Sequence, residues 1–435
     1  MKHSKWIHII GIGGITTSAV ALEFKKKGWK VTGSDPGIHY PTDKELETNG
    51  IIVYPEFSYE NLVEGDLFPD IVLLGSSTLK GNKEYLFAKK QKLPIKTYPE
   101  ILESEVVVYD NSIVVAGTYG KTSLSAMLIY LFEKCKKNIS YMYGGISDSI
   151  ESRVRFKNES TEYSIIEGDE YINSRIDPKS KFFFYHPKYL ILNSVEWDHT
   201  DFFKTEEEYF ANFKNLIKIV PENGIIFASK TEVIRTLLET ASCKIIWLEG
   251  GEKIETNLLG KFNKENLSKA YEIGVGIGLD YDLKNILSKF QGIKRRLETR
   301  FKNDKYKVID DFGSSPAKAA KTIDTLNNEF PDHKLVIVYE PNEGARTDES
   351  IGLYKGLFDD AEVVYFPEFR EMKNRINAEN LKSKINSSNI VVTSREKLVS
   401  KVVNSLEIDS KYVVAFLSSH SFEKEILDLI KELNG

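Results

Sequence analysis

The chain has 435 residues, 59 basic against 64 acidic, and a formal net charge of −5. At about 100–200 residues per domain, that length suggests two to four domains. The near balance of charge argues against a dedicated nucleic-acid binder but not against anionic small ligands, which bind helix ends and local clusters. Two cysteines, Cys135 and Cys243, with no CxxC or Cys/His cluster, argue against zinc and for a reducing compartment in which both are buried fillers.

No run of about 20 uninterrupted apolar residues occurs, so no membrane span is expected. Lys2 and Lys5 before the apolar run Trp6–Leu22, with Ala19-Val20-Ala21, have the outline of a secretory leader. Gly11, Gly13 and Gly14 interrupt it, and it runs on into a charged helix end and a new strand. It is therefore read as the first unit of a domain, and the protein as cytoplasmic.

In chain order, Trp6–Ile10 reads as a strand, Gly11–Gly14 as a tight turn, Ser18–Lys27 as a helix capped by Gly28, and Trp29–Thr32 as the next strand. This is a βαβ unit and implies a parallel sheet. Strands at Ile51–Tyr54 and Ile71–Leu74 and a helix over Asn82–Gln91 follow. A second α/β unit opens at the strand Ser112–Ala116, with a loop over Gly117–Gly120 and a helix over Lys121–Lys136. Further strands are expected at Tyr163–Glu167, Tyr189–Asn193 and Gly224–Ala228, with a helix Glu206–Ile219 between the last two. A helix Asn263–Ile273, followed by Gly274, lies near the end of this unit. The third unit carries strands at Tyr306–Asp310, Lys334–Tyr339, Glu362–Phe366, Ile390–Val392 and Tyr412–Leu417. The architecture expected is three α/β domains in series: Rossmann-like over 1–110, a P-loop-type ATPase domain over 111–291, and Rossmann-like over 292–435.

The strongest local signal is Val114 through Ser123, a strand feeding a glycine loop that opens a helix. Backbone N–H groups of such a loop and the helix N-terminus cradle phosphate oxygens. Lys121 suits the β/γ-phosphates and Thr122 suits Mg²⁺. The spacing is shorter than GxxxxGK[ST], and a plain strand–helix turn is the alternative. Glu167-Gly168-Asp169-Glu170 then puts acids after an apolar strand, at the sheet edge that faces a nucleotide. Mg²⁺ takes hard oxygen ligands, and Glu170 is the main candidate; a solvated acidic turn is the bland reading. Asn193 through Asp201 follows a third apolar strand, and His199 there is a candidate metal ligand or substrate contact. The first turn, with Ser34-Asp35 about 20 residues beyond, looks like a dinucleotide fingerprint. Its pattern is GxGG, however, with Thr16 where the last glycine belongs. An NAD-dependent oxidoreductase remains as an alternative that leaves the second phosphate loop unexplained.

These motifs, in this order, resemble the Mur ligase family, which builds the peptide stem of peptidoglycan on a UDP-N-acetylmuramic acid carrier. The resemblance runs through nearly the whole chain. It takes in Gly117–Thr122, Glu167–Glu170, Asp198-His199, Gly260–Asn266, Gly292–Glu298 and Asp310–Pro316. It implies three domains, for UDP-substrate, ATP and the incoming amine. The first would hold UDP-N-acetylmuramate through Gly11, Gly13, Gly14, Ser34, Asp35, Ser76 and Ser77. ATP would take Gly117, Thr118, Gly120, Lys121, Thr122 and Ser123, with Asn263 and Asn266 on adenine and Arg296 and Asp311 reaching phosphates and ribose. Mg²⁺ would sit on Thr122, Glu170 and His199, and Lys214 is either a carbamylated metal bridge or a helix-surface lysine. Lys121, Glu170 and His199 would be the catalytic groups. Arg346 would grip a carboxylate of the amino acid or short peptide, an exposed loop arginine being the equal alternative.

Within the family, the chain resembles the branch acting directly on UDP-N-acetylmuramate. Val31–Asp35 with Tyr40-Pro41, Asp169–Tyr171 with Ser180–Phe182 and Tyr185–Pro187, and Ile191–Glu196 with Asp198–Phe203 look more like members that add the tripeptide L-alanyl-γ-D-glutamyl-meso-diaminopimelate than those that add L-alanine. Tyr119, Ser314-Ser315 and Phe262 depart from the histidines usual at those places, and the loop Glu340–Thr347 matches neither kind closely. A homologue that binds nucleotide-sugar without turnover is thus a further reading.

Overall fold

A computed structural model describes residues 5–38, 41–197, 202–369 and 374–434. The chain forms two compact units, one of residues 1–256 with 265–291, the other of 257–264 with 292–435. The first unit holds two sheets and the second holds one.

The first sheet comprises Trp6–Ile10 (β1), Lys30–Ser34 (β2), Ile52–Tyr54 (β3), Ile71–Leu74 (β4) and Ile95–Thr97 (β5). Its order is β3-β2-β1-β4-β5, with every pair parallel. The five residues of β1 are all buried, as a central parallel strand covered on both faces must be. The helix after the glycine turn runs Ile15–Lys26, one turn earlier than its apolar spacing suggested. Gly28, at φ 79°, closes it as expected, and Ala19-Val20-Ala21 is buried within it.

The second sheet comprises Ser112–Ala116 (β6), Ile139–Met142 (β7), Val154–Arg155 (β8), Tyr163–Gly168 (β9), Tyr189–Leu192 (β10), Ile225–Ser229 (β11) and Lys244–Leu248 (β12). The order is β12-β11-β10-β6-β9-β7-β8, parallel except for the β7–β8 pair. β10, β11 and β12 are joined through the helices Glu206–Lys218 and Glu232–Leu238, and the parallel pairing of β6 with β9 and β10 keeps their carboxyl ends on one edge. The two sheets of this unit share a core. Phe24 meets Phe156 edge-on at 5.1 Å between ring centres, and buried Arg153 donates to Glu45, to the Ser18 hydroxyl and to the Ile15 carbonyl.

The third sheet comprises Glu298–Lys302 (β13), Tyr306–Asp311 (β14), Lys334–Glu340 (β15), Val363–Pro367 (β16), Ile390–Thr393 (β17) and Tyr412–Ser418 (β18). Its order is β13-β14-β18-β15-β16-β17, with only β13 antiparallel. Apolar clusters cover both of its faces.

A second helix departs further from the sequence reading. The helix expected to end before Gly274 runs Lys261–Ile277. A Cβ on Gly274 would lie 3.0 Å from both Leu131 and Leu283, and one on Gly276 would lie 2.5 Å from the Phe227 ring. Both glycines are there for close packing. The helix stops at Gly278, φ 91°, whose N–H donates to the Gly274 and Val275 carbonyls. Cys135 is buried, which pushes its thiol up to about 11, whereas Cys243 is only half-buried.

Candidate active site

Three strand ends meet at one edge of the second sheet. β6 is flanked by β9 and β10, with Ala116 in register with Gly168 on one side and Leu192 on the other. The loop after β6, the acidic turn after β9 and Asn193-Ser194 after β10 therefore emerge side by side.

The loop is pinned by its neighbours rather than by itself. Gly117 has φ 138°, and a Cβ there would lie 2.5 Å from the Ser194 carbonyl. The Thr118 N–H donates to that carbonyl at 2.7 Å, and the Tyr119 N–H to the Ser194 hydroxyl at 2.9 Å. Thr118 Oγ1 bonds the Glu196 carbonyl at 2.8 Å and lies 2.9 Å from the Tyr209 hydroxyl. Gly120 sits at φ 78°, a left-handed conformation that opens the helix Lys121–Lys134. Asn193 Nδ2 donates to the Tyr119 carbonyl and to Asn266 Oδ1, while its Oδ1 accepts from Lys269 at 2.7 Å. Ser123 is buried in the first turn of the helix.

Lys121 Nζ donates to the Gly117 carbonyl and to Glu170 Oε2, both at 2.6 Å. Glu170 is fully buried and is also reached by the Tyr209 hydroxyl at 3.4 Å. Thr122 Oγ1 donates not to Glu170 but to Glu167 Oε1, at 2.8 Å, and Glu167 Oε2 accepts from the Gly144 N–H at 2.7 Å. Glu167, part of the acidic motif but given no role from sequence, thus joins the site. Asp169 pairs with Lys181 at 2.6 Å. Burial pulls the Lys121 ammonium down, but the carboxylates of Glu170, Asp169 and Glu167 outweigh it and leave it raised. Burial raises the Glu167 carboxyl against the opposing Gly144 N–H, Lys121 and Thr122. Asp169 is lowered, because Lys181 and Lys121 outweigh its burial.

These oxygens fit a hard cation. Mg²⁺ keeps several waters and needs only one or two carboxylates besides phosphate oxygens. Among the described residues no three acidic, imidazole or thiol groups form a ready-made cage. Instead Thr122, Glu167 and Glu170 line one strand edge, with the carboxylates held by Lys121, Thr122 and Gly144. His199 lies outside the described residues. Lys214 is half-buried on the helix Glu206–Lys218.

In the first sheet, Gly11 takes φ 78°, and the Gly13 N–H donates to Asp35 Oδ2 at 3.0 Å. The other Asp35 oxygen accepts from the Gly37 N–H, so Asp35 holds the turn together. Gly14 is exposed at the start of the helix, and Thr17 rather than Thr16 staples the turn, through the Gly11 carbonyl at 2.8 Å. Ser34, expected among the substrate contacts, turns its hydroxyl inward onto buried Glu84 at 2.5 Å. Ser77 is exposed, and Ser76 lies beside the buried Tyr98 hydroxyl, near Asp169. The loop after β4 and the acidic turn are therefore neighbours.

In the other unit, Asn263 is buried and donates to the Leu259 carbonyl at 2.8 Å. Asp311 accepts from the Leu297 N–H at 2.7 Å and from the Thr322 hydroxyl at 2.9 Å, and burial raises its carboxyl. Arg296 is exposed, 5.5 Å from the Phe312 ring centre. Its neighbour Arg295 is locked onto the Ser418 and His420 carbonyls. Arg346 is not the exposed loop arginine of the bland reading. It is 3% exposed, donates to the Ile376 carbonyl at 2.9 Å and lies over Phe369 at 5.0 Å.

A glycine loop, a buried lysine and paired carboxylates at one edge of a parallel sheet define a phosphate-handling enzyme. Family comparison gives the class. Residues 6–106 match the Mur ligase family catalytic domain, 115–248 the Mur ligase middle domain, and 295–420 the Mur ligase glutamate ligase domain. The chain belongs to the Mur ligase family, and it is an ATP-dependent ligase that joins an acid to an amino acid or peptide. It is 27% identical to the UDP-N-acetylmuramate–L-alanyl-γ-D-glutamyl-meso-2,6-diaminoheptandioate ligase of Haemophilus influenzae, covering 78% of this chain and 80% of that one. It is equally 27% identical to the UDP-N-acetylmuramate–L-alanine ligase of Streptococcus pyogenes, over 98% and 99%. The UDP-N-acetylmuramate–alanine ligase structure from Thermotoga maritima superposes with a TM-score of 0.76 at 20% identity, over 99% of each chain. No helix among the described residues is long and apolar enough to cross a membrane.

Proposed function

We propose that the protein joins the lactyl carboxylate of UDP-N-acetylmuramate to the amine of the tripeptide L-alanyl-γ-D-glutamyl-meso-diaminopimelate, using ATP, in cytoplasmic peptidoglycan recycling. The observation that carries this is the convergence of the Gly117–Gly120 loop, Glu167–Glu170 and Asn193 around Lys121. The tripeptide is favoured over alanine by the stretches Asp169–Tyr171, Ser180–Phe182 and Ile191–Glu196, and by the Haemophilus relative.

The reaction needs charge control, since an anionic carboxylate must approach an anionic phosphate. The loop amides and the Lys121 ammonium hold the β- and γ-phosphates, so that the carboxylate meets phosphorus in line. That attack breaks the bond from the γ-phosphorus to its bridging oxygen and releases ADP; the amine then attacks the acyl-phosphate, and the tetrahedral adduct loses a proton and collapses to amide and phosphate. Thr122, Glu167 and Glu170 would hold Mg²⁺, which would supply further charge neutralisation at the phosphates. No protein nucleophile is required, because positioning and electrostatics suffice. Asn266, beside the loop through Asn193, suits an adenine edge with its paired donor and acceptor. Arg346, buried in the third domain, would fix the carboxylate of the amine substrate through its side chain.

Phosphate release from ATP with UDP-N-acetylmuramate, comparing tripeptide with L-alanine, tests this. Preference for the tripeptide is the expected result. Preference for alanine moves the protein to the biosynthetic ligase, a reading the full-length Streptococcus match favours. Absence of release with any amine rejects the enzyme mechanism.

A further inference from the structure

Resting on that reading, we propose that Lys181 is a substrate-binding cation that takes a carboxylate oxygen of the UDP-linked acid, between the phosphate loop and the loop after β4 that holds Ser76. Lys181 opens the short turn Lys181–Phe184. Two backbone bonds fix that turn to the acidic motif: the Lys181 N–H donates to the Tyr171 carbonyl at 3.1 Å and the Phe182 N–H to the Asp169 carbonyl at 3.2 Å. The ammonium is 2.6 Å from Asp169 Oδ2 and lies over the Tyr98 and Tyr171 rings, at 5.7 and 5.6 Å.

This side chain is only 9% exposed, yet Asp169 is the one hydrogen-bond acceptor that Nζ finds among the described residues. An ammonium carries three donors, and buried donors seek acceptors. Asp169 is itself anchored by the Tyr171 N–H at 3.1 Å, so the pair fixes where the ammonium points. Lys121, by contrast, is committed to the phosphate loop through Gly117 and to Glu170. The two lysines thus divide the edge. Lys121 stays with the nucleotide loop, and Lys181 stands beside Tyr98, which follows β5 of the first sheet and neighbours Ser76. The anion that reaches Lys181 is accordingly the one carried by the first domain's ligand.

Calorimetric titration with UDP-N-acetylmuramate and with UDP-N-acetylglucosamine, which lacks the lactyl carboxylate, tests the assignment. The proteins compared are wild type, Lys181→Met, and Lys181→Met with Asp169→Asn, the last leaving no carboxylate without its cation. Both variants are expected to lose roughly tenfold or more in affinity for the acid, and less than about twofold for the ligand without the lactyl carboxylate, as loss of one charge-assisted hydrogen bond implies. Lys181→Arg should recover part of the loss. Affinity for the acid unchanged in both variants, or an equal fall for both ligands, overturns the assignment while leaving the functional reading intact. A raised KM for ATP with unchanged acid binding also overturns it. Wild-type protein that binds neither UDP ligand sinks the functional reading, and this inference with it.

Discussion

Gly120 and Asn193 are so close that a Cβ on the glycine would stand 2.4 Å from the amide nitrogen Nδ2 of the asparagine. The same glycine has φ 78°, which costs an L-residue roughly 1–2 kcal/mol. Gly120→Ala should therefore distort the loop that Asn193 supports. The protein is expected to stay folded but to lose about a hundredfold or more in turnover, since small misplacement of reacting groups costs that much. Phosphate-release kinetics beside circular dichroism check this; near-normal turnover would show that the contact does not shape the loop.

Lys121→Ala leaves Glu170 buried without its cation. Removing one partner of a buried pair costs about 3–5 kcal/mol, so a clear fall in melting temperature should accompany a loss of about a hundred- to a thousandfold in turnover. Binding of UDP-N-acetylmuramate should persist, because its proposed site centres on the first sheet. Loss of that binding, measured by calorimetry, would count against the division of roles between the sheets.

Glu167→Gln keeps an oxygen for the Gly144 N–H but removes the charge beside Thr122. The Mg²⁺ concentration for half-maximal rate should rise about tenfold. Chelation should stop turnover in the wild type without lowering its melting temperature, because the carboxylates are held by Lys121, Thr122 and Gly144. An unchanged Mg²⁺ requirement in the variant would remove Glu167 from the metal site.

Asp310 gives a pH prediction with an unusual sign. Burial raises its carboxyl to about 6, with the Glu298 carboxylate adding to the rise and Arg295 and Arg300 opposing it. A carboxylate raised in the folded state binds its proton more tightly there than in the unfolded chain. The stabilisation is complete below the unfolded value, about 3.9, and is lost as pH rises toward 6. Relative to wild type, Asp310→Asn should thus melt progressively higher as pH climbs through this window. Thermal unfolding at intervals across it checks the trend, and a constant difference would mean that folding leaves the Asp310 carboxyl unshifted.

Much of the site was legible because its signals are local. The buried strand Ser112–Ala116, the loop glycines and Lys121-Thr122 lie in one stretch, and each favours the same turn. The pairing of Thr122 with Glu167 was not legible, because it joins the start of a helix to a strand 45 residues on in the chain, and only the register of the sheet decides which acid faces the hydroxyl. Ser34 has the residue type of a substrate contact; nothing local reveals that its partner is Glu84, 50 positions on. Gly274 misled for another reason, since a glycine that ends a helix and one that lets Leu131 approach look alike in sequence. The short strands Ile139–Met142 and Val154–Arg155 carry too few residues to show a period. Arg346 likewise gave no sign that its guanidinium would pack over Phe369.

Thr118 takes its shape from Glu196, 78 residues downstream. While the ribosome is still making the stretch between them, the glycine loop has neither its carbonyl partners nor the hydroxyl of Ser194. Nascent protein therefore carries the nucleotide sequence motif without the nucleotide pocket. A chain that stops short of Ser194 thus has the motif but not the carbonyl and hydroxyl that hold Thr118 and Tyr119 in place.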